Sequence, residues 1–498
     1  MTSFQWRALP KVILWCVAVI SLAACTGVSR VQPAKPQAIA EVTYTSRLEA
    51  LSHGSDGSDR ARDGKPRFLG PLGARGVTYK GYQYIVYYTG KDRTVSEDAG
   101  AAKVVVARRA VAGGGEWEKS ILQGYKVTSD DAHNRQSIGI SGDGVIHIAF
   151  DHHNDPVLNY AKTEPGIANN PQNVVWDDSV FTYAPNFGPD ILKPGTRVTY
   201  PNFNQFPGGG LILYFRRGGS FGGDMQLARY DAARSEWAFV RDISTRKGTY
   251  KGLETTRGPY TAGGMQVDKD GGLHVAWVFR ERPCEGIKPN IHYERFCNHG
   301  LYYASSPDEG QTWYHADGRV VADTSKGETI GIDNISPEAI EIPKELGPSN
   351  VMNTSAMDPE NGNMHVLNLH LPSTKSSTPQ VFHYTGTPDG VWTGKPSSFA
   401  ASDAKLAIYG DYMFAFTGRK KAEIYYAKRT NDFNSWKEIP IDGELFGREL
   451  NIEGGYITWD LSRMEDAGVA TVIWHTEPKS KRHGDASPIY VFDLQVMK

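Results

Sequence analysis

Residues 301–314 read "LYYASSPDEGQTWY". Ser306, Asp308, Gly310, Thr312 and Trp313 within it follow the pattern S-x-D-x-G-x-T-W. An apolar, aromatic run enters a polar turn and leaves it through a tryptophan. Elementary chemistry predicts what such a turn does. Ser306 and Asp308 bond amides of the turn, Gly310 takes a positive φ, and Trp313 packs between sheets.

The same plan recurs along the chain in "VVARRAVAGGGEWEKS", "LNYAKTEPGIANNPQNVVWDD", "QLARYDAARSEWAFV", "FHYTGTPDGVWTG" and "IYYAKRTNDFNSWKEI", with Trp117, Trp176, Trp237, Trp392 and Trp436 in the place of Trp313. A second element, a turn followed by an apolar strand, recurs upstream in "GDGVIHIAFDHH", "KDGGLHVAWVFR" and "ENGNMHVLNLHL". Short alternating runs broken by Gly, Asp and Pro dominate, and no amphipathic helix stands out. Units spaced by about 45 to 80 residues predict an all-β chain folded as a β-propeller with loop insertions. A pair of β-sandwiches would not explain the repeated turn. Six units carry a tryptophan, and the terminal "IYVFDLQVMK" offers a closing strand, so seven blades are expected.

Residues 1–25 stand apart. Arg7 and Lys11 precede the apolar run "VILWCVAVISLAA", too short to span a bilayer, which ends in Leu22-Ala23-Ala24-Cys25. This is the pattern of a lipoprotein signal peptide, with Cys25 lipidated and membrane contact confined to that anchor. An exported lipoprotein on the outer membrane, exposed at the cell surface, is the expected location. Polar residues 26–65 read as a tether and 66–498 as a single propeller domain. A net charge of −2 supplies no field for a polyanion and argues against nucleic acid. An acidic ligand must be met by local cations. Cys284 and Cys297, 13 residues apart, allow a disulfide in an oxidising compartment. With His292 and His299 they also make a Cys2His2 set for a structural zinc, the reading favoured by two histidines in so short a loop.

Aligning the second elements pairs Ile146 with Leu273, His147 with His274 and Phe150 with Trp277, so that His153 falls opposite Arg280. Both end their strands, where propeller blades converge on one face. His147 and His274 sit at the far ends and read as structural. His152 points away from His153 by alternation and also reads as structural. His133, in "DDAHNRQSIGIS", precedes a strand in a polar stretch. Tyr200, the pair Arg216-Arg217 and Tyr260 (beside Arg257) occupy further loop or strand ends, flanked by Gly and Pro. Any one of these taken singly reads as ordinary surface or packing; their convergence is the argument.

These features together, with "AHNRQSIGISGDGVIHIAFDHHNDPVLNYA", "YFRRGG", "FRERP" and "NHGLYYASSPDEGQTW", resemble the BNR-repeat (Asp-box) polysaccharide lyases. The likeness is greatest to the ulvan lyases of families twenty-four and twenty-five, and it runs from about residue 75 to the C-terminus. The resemblance implies a seven-bladed propeller that cuts ulvan, a sulfated polymer of rhamnose and uronic acid, by β-elimination. It makes His133 and His153 the site histidines, Tyr200 the catalytic tyrosine and Arg216 the neutraliser of the uronate carboxylate. Tyr260 and Arg280 become substrate-binding residues, with Arg217 the alternative to Arg216. The family's structural zinc supports the Cys2His2 reading without fixing its ligands.

The chemistry suits these groups. A guanidinium against the carboxylate stabilises the aci-carboxylate formed when C5 loses its proton. An imidazole has a pKa near working pH, and a phenol beside cations is the alternative base or the acid for the leaving O4. Which of His133 and Tyr200 is the base stays open. Catalysis needs no cofactor, and a monomer is expected. A sialidase-type hydrolase would require three clustered arginines and a Tyr-Glu pair, which the sequence does not offer. A non-catalytic glycan-binding propeller is the other alternative.

Overall fold

The structure is a computed structural model. It describes residues 39–51, 53–54, 68–69, 75–90, 102–127, 134, 136–188, 191–193, 195–219, 222–250, 252–255, 257–260, 265–281, 297–346, 354–399, 404–417, 422–441, 455–476 and 485–497. The described strands form seven blades of a β-propeller, each an antiparallel meander running from an inner to an outer edge. Among the described residues the α-helices are single turns, Ile332–Ile335 and Met464–Ala467.

Blade 1 is Arg75–Tyr79, Tyr82–Thr89, Lys103–Ala110 and Glu118–Ile121, and blade 2 is Ser137–Ile140, Ile146–Ala149, Tyr160–Lys162 and Thr182–Tyr183. Blade 3 is Val198–Gln205, Leu211–Gly219, Gly222–Asp231 and Glu236–Asp242, with the short strand His153–Asp155 added along its inner edge. Blade 4 begins with Pro259–Tyr260 and Met265–Val267, both paired to Leu273–Glu281, and continues through Cys297–Ser306, Thr312–His315 and Val320–Asp323. Blade 5 is Ser355–Met357, Met364–His370, Gln380–Gly386 and Trp392–Pro396; blade 6 is Lys405–Tyr409, Tyr412–Thr417, Glu423–Lys428 and Lys437–Ile439. Blade 7 runs Gly455–Asp460, Val469–Thr476, Ile489–Val496 and finally Ala40–Leu48.

That last strand corrects the expected tether. Ala40–Leu48 pairs antiparallel with Ile489–Val496, from Ala40 opposite Val496 to Leu48 opposite Ile489. Its Ala40, Val42 and Leu48 are buried while Glu41 and Thr43 are exposed. A strand on the outer edge of a blade buries little, so its polar face passes for linker. The domain therefore begins some 25 residues earlier than composition suggested, and the N-terminal strand locks the ring.

The turn chemistry is as the sequence predicts. Ser306 Oγ donates to Asp308 (2.8 Å) and accepts from the Gly310 amide (2.9 Å), and Asp308 accepts from the Thr312 amide (2.8 Å). Gly310 has φ 79°, and Trp313 is fully buried with Nε1 donating to the Gly310 carbonyl (3.0 Å). In each unit the tryptophan reaches the preceding blade. Trp117 Nε1 donates to Ser46, Trp176 to the Val106 carbonyl and Trp237 to the Tyr160 hydroxyl. Trp313 joins a core cluster with Leu227, Trp392 lies 5.4 Å from the Tyr303 ring and Trp436 5.9 Å from His383. The hydrophobic core is thus distributed between blades, each cluster drawing on two neighbours.

Candidate active site

The expected site residues come from blades 2, 3 and 4, at the ends where second strands finish and inner strands begin. His153 pairs with Thr199, and the Asn154 amide donates to Thr199 Oγ1 (2.8 Å), which stitches the end of blade 2 onto blade 3. Blade 3 then breaks register between Thr199 and Asn202. Tyr200 sits in that bulge with φ 54°, directly before Pro201. A left-handed tyrosine costs roughly 1–2 kcal/mol, and a following proline disfavours helical ψ further. Asp151 (φ 59°) and Asn154 (φ 67°) flank His153 in the same region of φ. The outcome is a parallel imidazole–phenol pair, the His153 and Tyr200 rings lying 5.9 Å apart at 20°.

Thr199 faces Arg216 across the sheet. The Arg216 side chain is buried, and among the described residues its hydrogen bonds go to carbonyls. Nε and Nη2 donate to Gly219 (3.3 Å each), Nη2 also to Arg257 (3.1 Å), and Nη1 to Pro259. Among the described residues four of the five N–H groups are therefore taken, with one on Nη1 remaining. Gly223 permits this packing, since a Cβ there would stand 2.5 Å from Nε. Burial first, and then the Arg280 cation, pull the Arg216 pKa down to about 10. It stays charged at neutral pH. Arg280, also buried, lies 3.4 Å from the Tyr260 ring centroid, and Arg216 lies 5.1 Å from the same ring. Arg280 Nε donates to Asn298 Oδ1 (2.9 Å), and its amide to the Gly258 carbonyl (3.1 Å). Two guanidinium groups thus converge on one tyrosine, a cationic seat for a carboxylate.

Arg217 is not part of it. It pairs with Asp224 (3.0 Å) and Asp242 (2.9 Å) on the opposite face, as strand alternation demands. Of the two adjacent arginines, Arg216 is the one beside Tyr260, while Arg217 is engaged by two carboxylates. His152 is buried, its Nε2 against the Asn159 backbone (3.1 Å to N), and burial drives its pKa down to about 3. His147 lies between Ser141 (2.9 Å) and Tyr160 (2.6 Å), and His274 between Asp268 (2.9 Å) and Tyr303 (2.6 Å). All three are structural, as read from the sequence.

His133, Cys25, Cys284 and His292 lie outside the described residues, as does the side chain of Cys297. His299 is buried against the Tyr250 ring (4.0 Å), with Nε2 on Glu281 (3.2 Å) and Nδ1 at 3.5 Å from the Tyr302 hydroxyl. Sequence reading missed Asn298, which orients Arg280, and Asp151. The latter accepts from Tyr125 (2.6 Å) and from Asn134, the residue after His133, and its amide donates to Tyr88 (2.6 Å). Asn134 stood inside the quoted "AHN", yet nothing in the sequence marked Asp151 as its anchor. At the opposite strand ends, a cleft of about 410 Å³ between blades 4 and 5 is lined by Asp268, Asp317 and Asp389, the wrong charge for an acidic polymer.

Comparisons with known proteins agree with the fold. The chain is 25% identical over 444 residues to the long isoform of an ulvan lyase from Pseudoalteromonas sp. (strain PLSV), covering 79% of this chain and 42% of that protein. It is 24% identical over 372 residues to the corresponding Alteromonas sp. enzyme, covering 66% of this chain and 35% of that protein. The chain thus spans less than half the length of these curated relatives. Among solved structures, polysaccharide lyase Uly1 superposes with TM-score 0.62 at 16% identity, over 91% of this chain and all of that one. A family twenty-five ulvan lyase bound to -[GlcA(1-4)Rha3S]- superposes with TM-score 0.59 at 12% identity, over 89% and 95%. The profile of the BNR repeat-containing family matches residues 82–400, and on that extent of agreement the chain belongs to the BNR repeat-containing family.

Proposed function

We propose that this propeller is a polysaccharide lyase that cleaves ulvan by β-elimination. The observation that carries the reading is the pair of buried guanidinium groups on Tyr260, next to the stacked His153 and Tyr200. A uronate carboxylate seated against Arg280 and the remaining Arg216 N–H would place its charge in a buried, preorganised cationic site. There the aci-carboxylate formed at C5 is stabilised without reorganisation. The C5–H bond breaks to a base, the C4=C5 bond forms, the C4–O4 bond breaks, and the departing O4 takes a proton. His133 and Tyr200 are the base and acid, and His153 positions the sugar or its carboxylate. His133 adjoins Asn134, which Asp151 holds two residues from His153. The similarity to ulvan lyases supports the choice of polymer.

Cys284, His292, Cys297 and His299 would hold a structural zinc that pins their loop and takes no part in the chemistry. Lipidation at Cys25 would anchor the enzyme at the outer membrane, with the acidic sulfated polymer as its partner.

The test is incubation with ulvan beside pectin, alginate and heparin-type polymers. Ultraviolet absorbance from conjugated, unsaturated uronyl ends is expected on ulvan, and Tyr200→Phe is expected to abolish it. New reducing ends without that absorbance would rule out elimination. Binding without any product, unchanged in Tyr200→Phe, would assign a glycan-binding role instead.

A further inference from the structure

Two spaces between blades, at the strand ends remote from the candidate active site, are built on one framework, and only one of them is filled. In blade 2, His147 Nε2 meets Ser141, six residues earlier (2.9 Å), and Nδ1 meets the Tyr160 hydroxyl on the third strand (2.6 Å). In blade 4, His274 repeats the arrangement with Asp268, again six residues earlier (2.9 Å), and with Tyr303 (2.6 Å). Blade 3 closes the first space. Its Tyr230 ring stands edge-on to His147 at 4.5 Å, and its Trp237 donates to the Tyr160 hydroxyl (3.3 Å). His147, Tyr160, Tyr230 and Trp237 are all buried.

The registers show what differs in the second space. Tyr230 pairs with Leu211, at the start of blade 3's second strand, and with Trp237 on its outer strand. The same place in blade 5, opposite Met364 and Trp392, is held by Gly386. A Cβ there would stand 2.3 Å from the Trp392 ring, so the indole lies against bare backbone where blade 3 has a phenol. The space that Tyr230 fills between blades 2 and 3 remains open between blades 4 and 5, as the cleft of about 410 Å³. That is in the range of small-ligand pockets, roughly 300–1,000 Å³. Trp392 and Tyr303, their ring centroids 5.4 Å apart, line it together with Tyr314, and all three are partly exposed.

Among the described residues no lysine or arginine lines the cleft, whereas Asp268, Asp317 and Asp389 do. A uronate or a sulfate would meet only repulsion there. Nor are the carboxylates bare charges. Asp268 accepts from the Gly272 (2.7 Å) and Asp270 (2.9 Å) amides and meets His274, Asp317 accepts from Arg319 (3.3 Å), and Asp389 accepts from the Thr387 hydroxyl. What they offer is lone pairs on oxygens already held in place, beside apolar rings. Sugar hydroxyls match the first and the C–H face of a pyranose the second. We propose that this cleft is a second saccharide site, for uncharged sugar residues of a polysaccharide. It takes no part in elimination and stands apart from the lyase reading.

The test is calorimetric titration of the full chain with cello- and xylo-oligosaccharides, beside spermidine as a cationic probe. At least one neutral series should bind, equally well at low salt and at about 0.5 M salt, since no charge is there to be screened. Trp392→Ala and Tyr314→Ala should each weaken that binding roughly five- to tenfold, the loss of one aromatic face. Tyr314→Ala decides alone if Trp392→Ala lowers the melting temperature, because Trp392 also packs between blades. No binding of either neutral series, or equal binding by wild type and Tyr314→Ala, would overturn the site. Salt-sensitive binding of spermidine alone would overturn it as well and make the cleft a cation pocket. Should the wild type eliminate no uronate polymer at all, the lyase reading falls and the titration still decides the cleft.

Discussion

Five histidines make the propeller acid-labile, and the size of the effect follows from their burial. His147, His152, His365, His383 and His475 are each at most 4% exposed. Burial, the leading cause in every case, drives each pKa from 6.5 to about 3. All five are neutral in the folded chain at pH 5, whereas the unfolded chain protonates them. Between pH 6.5 and 3 the unfolded state therefore binds more protons, and stability falls as pH falls. Each histidine loses about 1.4 kcal/mol per pH unit below 6.5, or about 2 kcal/mol at pH 5. Together the five lose about 10 kcal/mol, comparable to the whole stability of an ordinary domain, roughly 5–15 kcal/mol. Thermal melts from pH 8 to 4.5 should be level above pH 7 and fall steeply below 6. His475→Gln, which keeps a partner for Ser487, should make the fall shallower by about one proton. A melting temperature constant between pH 7 and 5, or a His475→Gln profile parallel to wild type, would refute the reasoning.

Other consequences concern the site and its frame. Arg280→Met should lower kcat/KM on ulvan by roughly 10²–10³ with the fold retained, since it removes one of two fixed cations. Arg217→Ala should stay within about threefold of wild type, its partners being the carboxylates of Asp224 and Asp242 rather than substrate; steady-state kinetics on both variants decides. Deleting residues 1–39 should leave the melting temperature unchanged. A deletion to residue 48 should lower it by many degrees or prevent soluble folding, because the outer strand of blade 7 is lost. Metal analysis of the purified protein should find about one zinc per chain, released by chelator with a lower melting temperature. Zinc-free protein destabilised by reductant would assign Cys284 and Cys297 to a disulfide.

The architecture was legible in the sequence because it is encoded locally. The Ser306–Trp313 turn closes through hydrogen bonds spanning four residues or fewer, and its tryptophan carries the packing instruction to the blade before it. Six such units are readable without any knowledge of their neighbours. His147 and His274 read as structural from their place at the far ends of aligned strands, whereas their tyrosine partners, 13 and 29 residues further on, came only with the sheet register. What depends on closure was not legible. The strand Ala40–Leu48 finds its partner more than 440 residues away, and no local signal distinguishes a half-buried edge strand from a linker. The choice between Arg216 and Arg217 awaited a register that the bulge at Tyr200 interrupts, since alternation cannot be counted through an extra residue. Turn chemistry is a property of eight consecutive residues; the meeting of charges from different blades is a property of the closed ring.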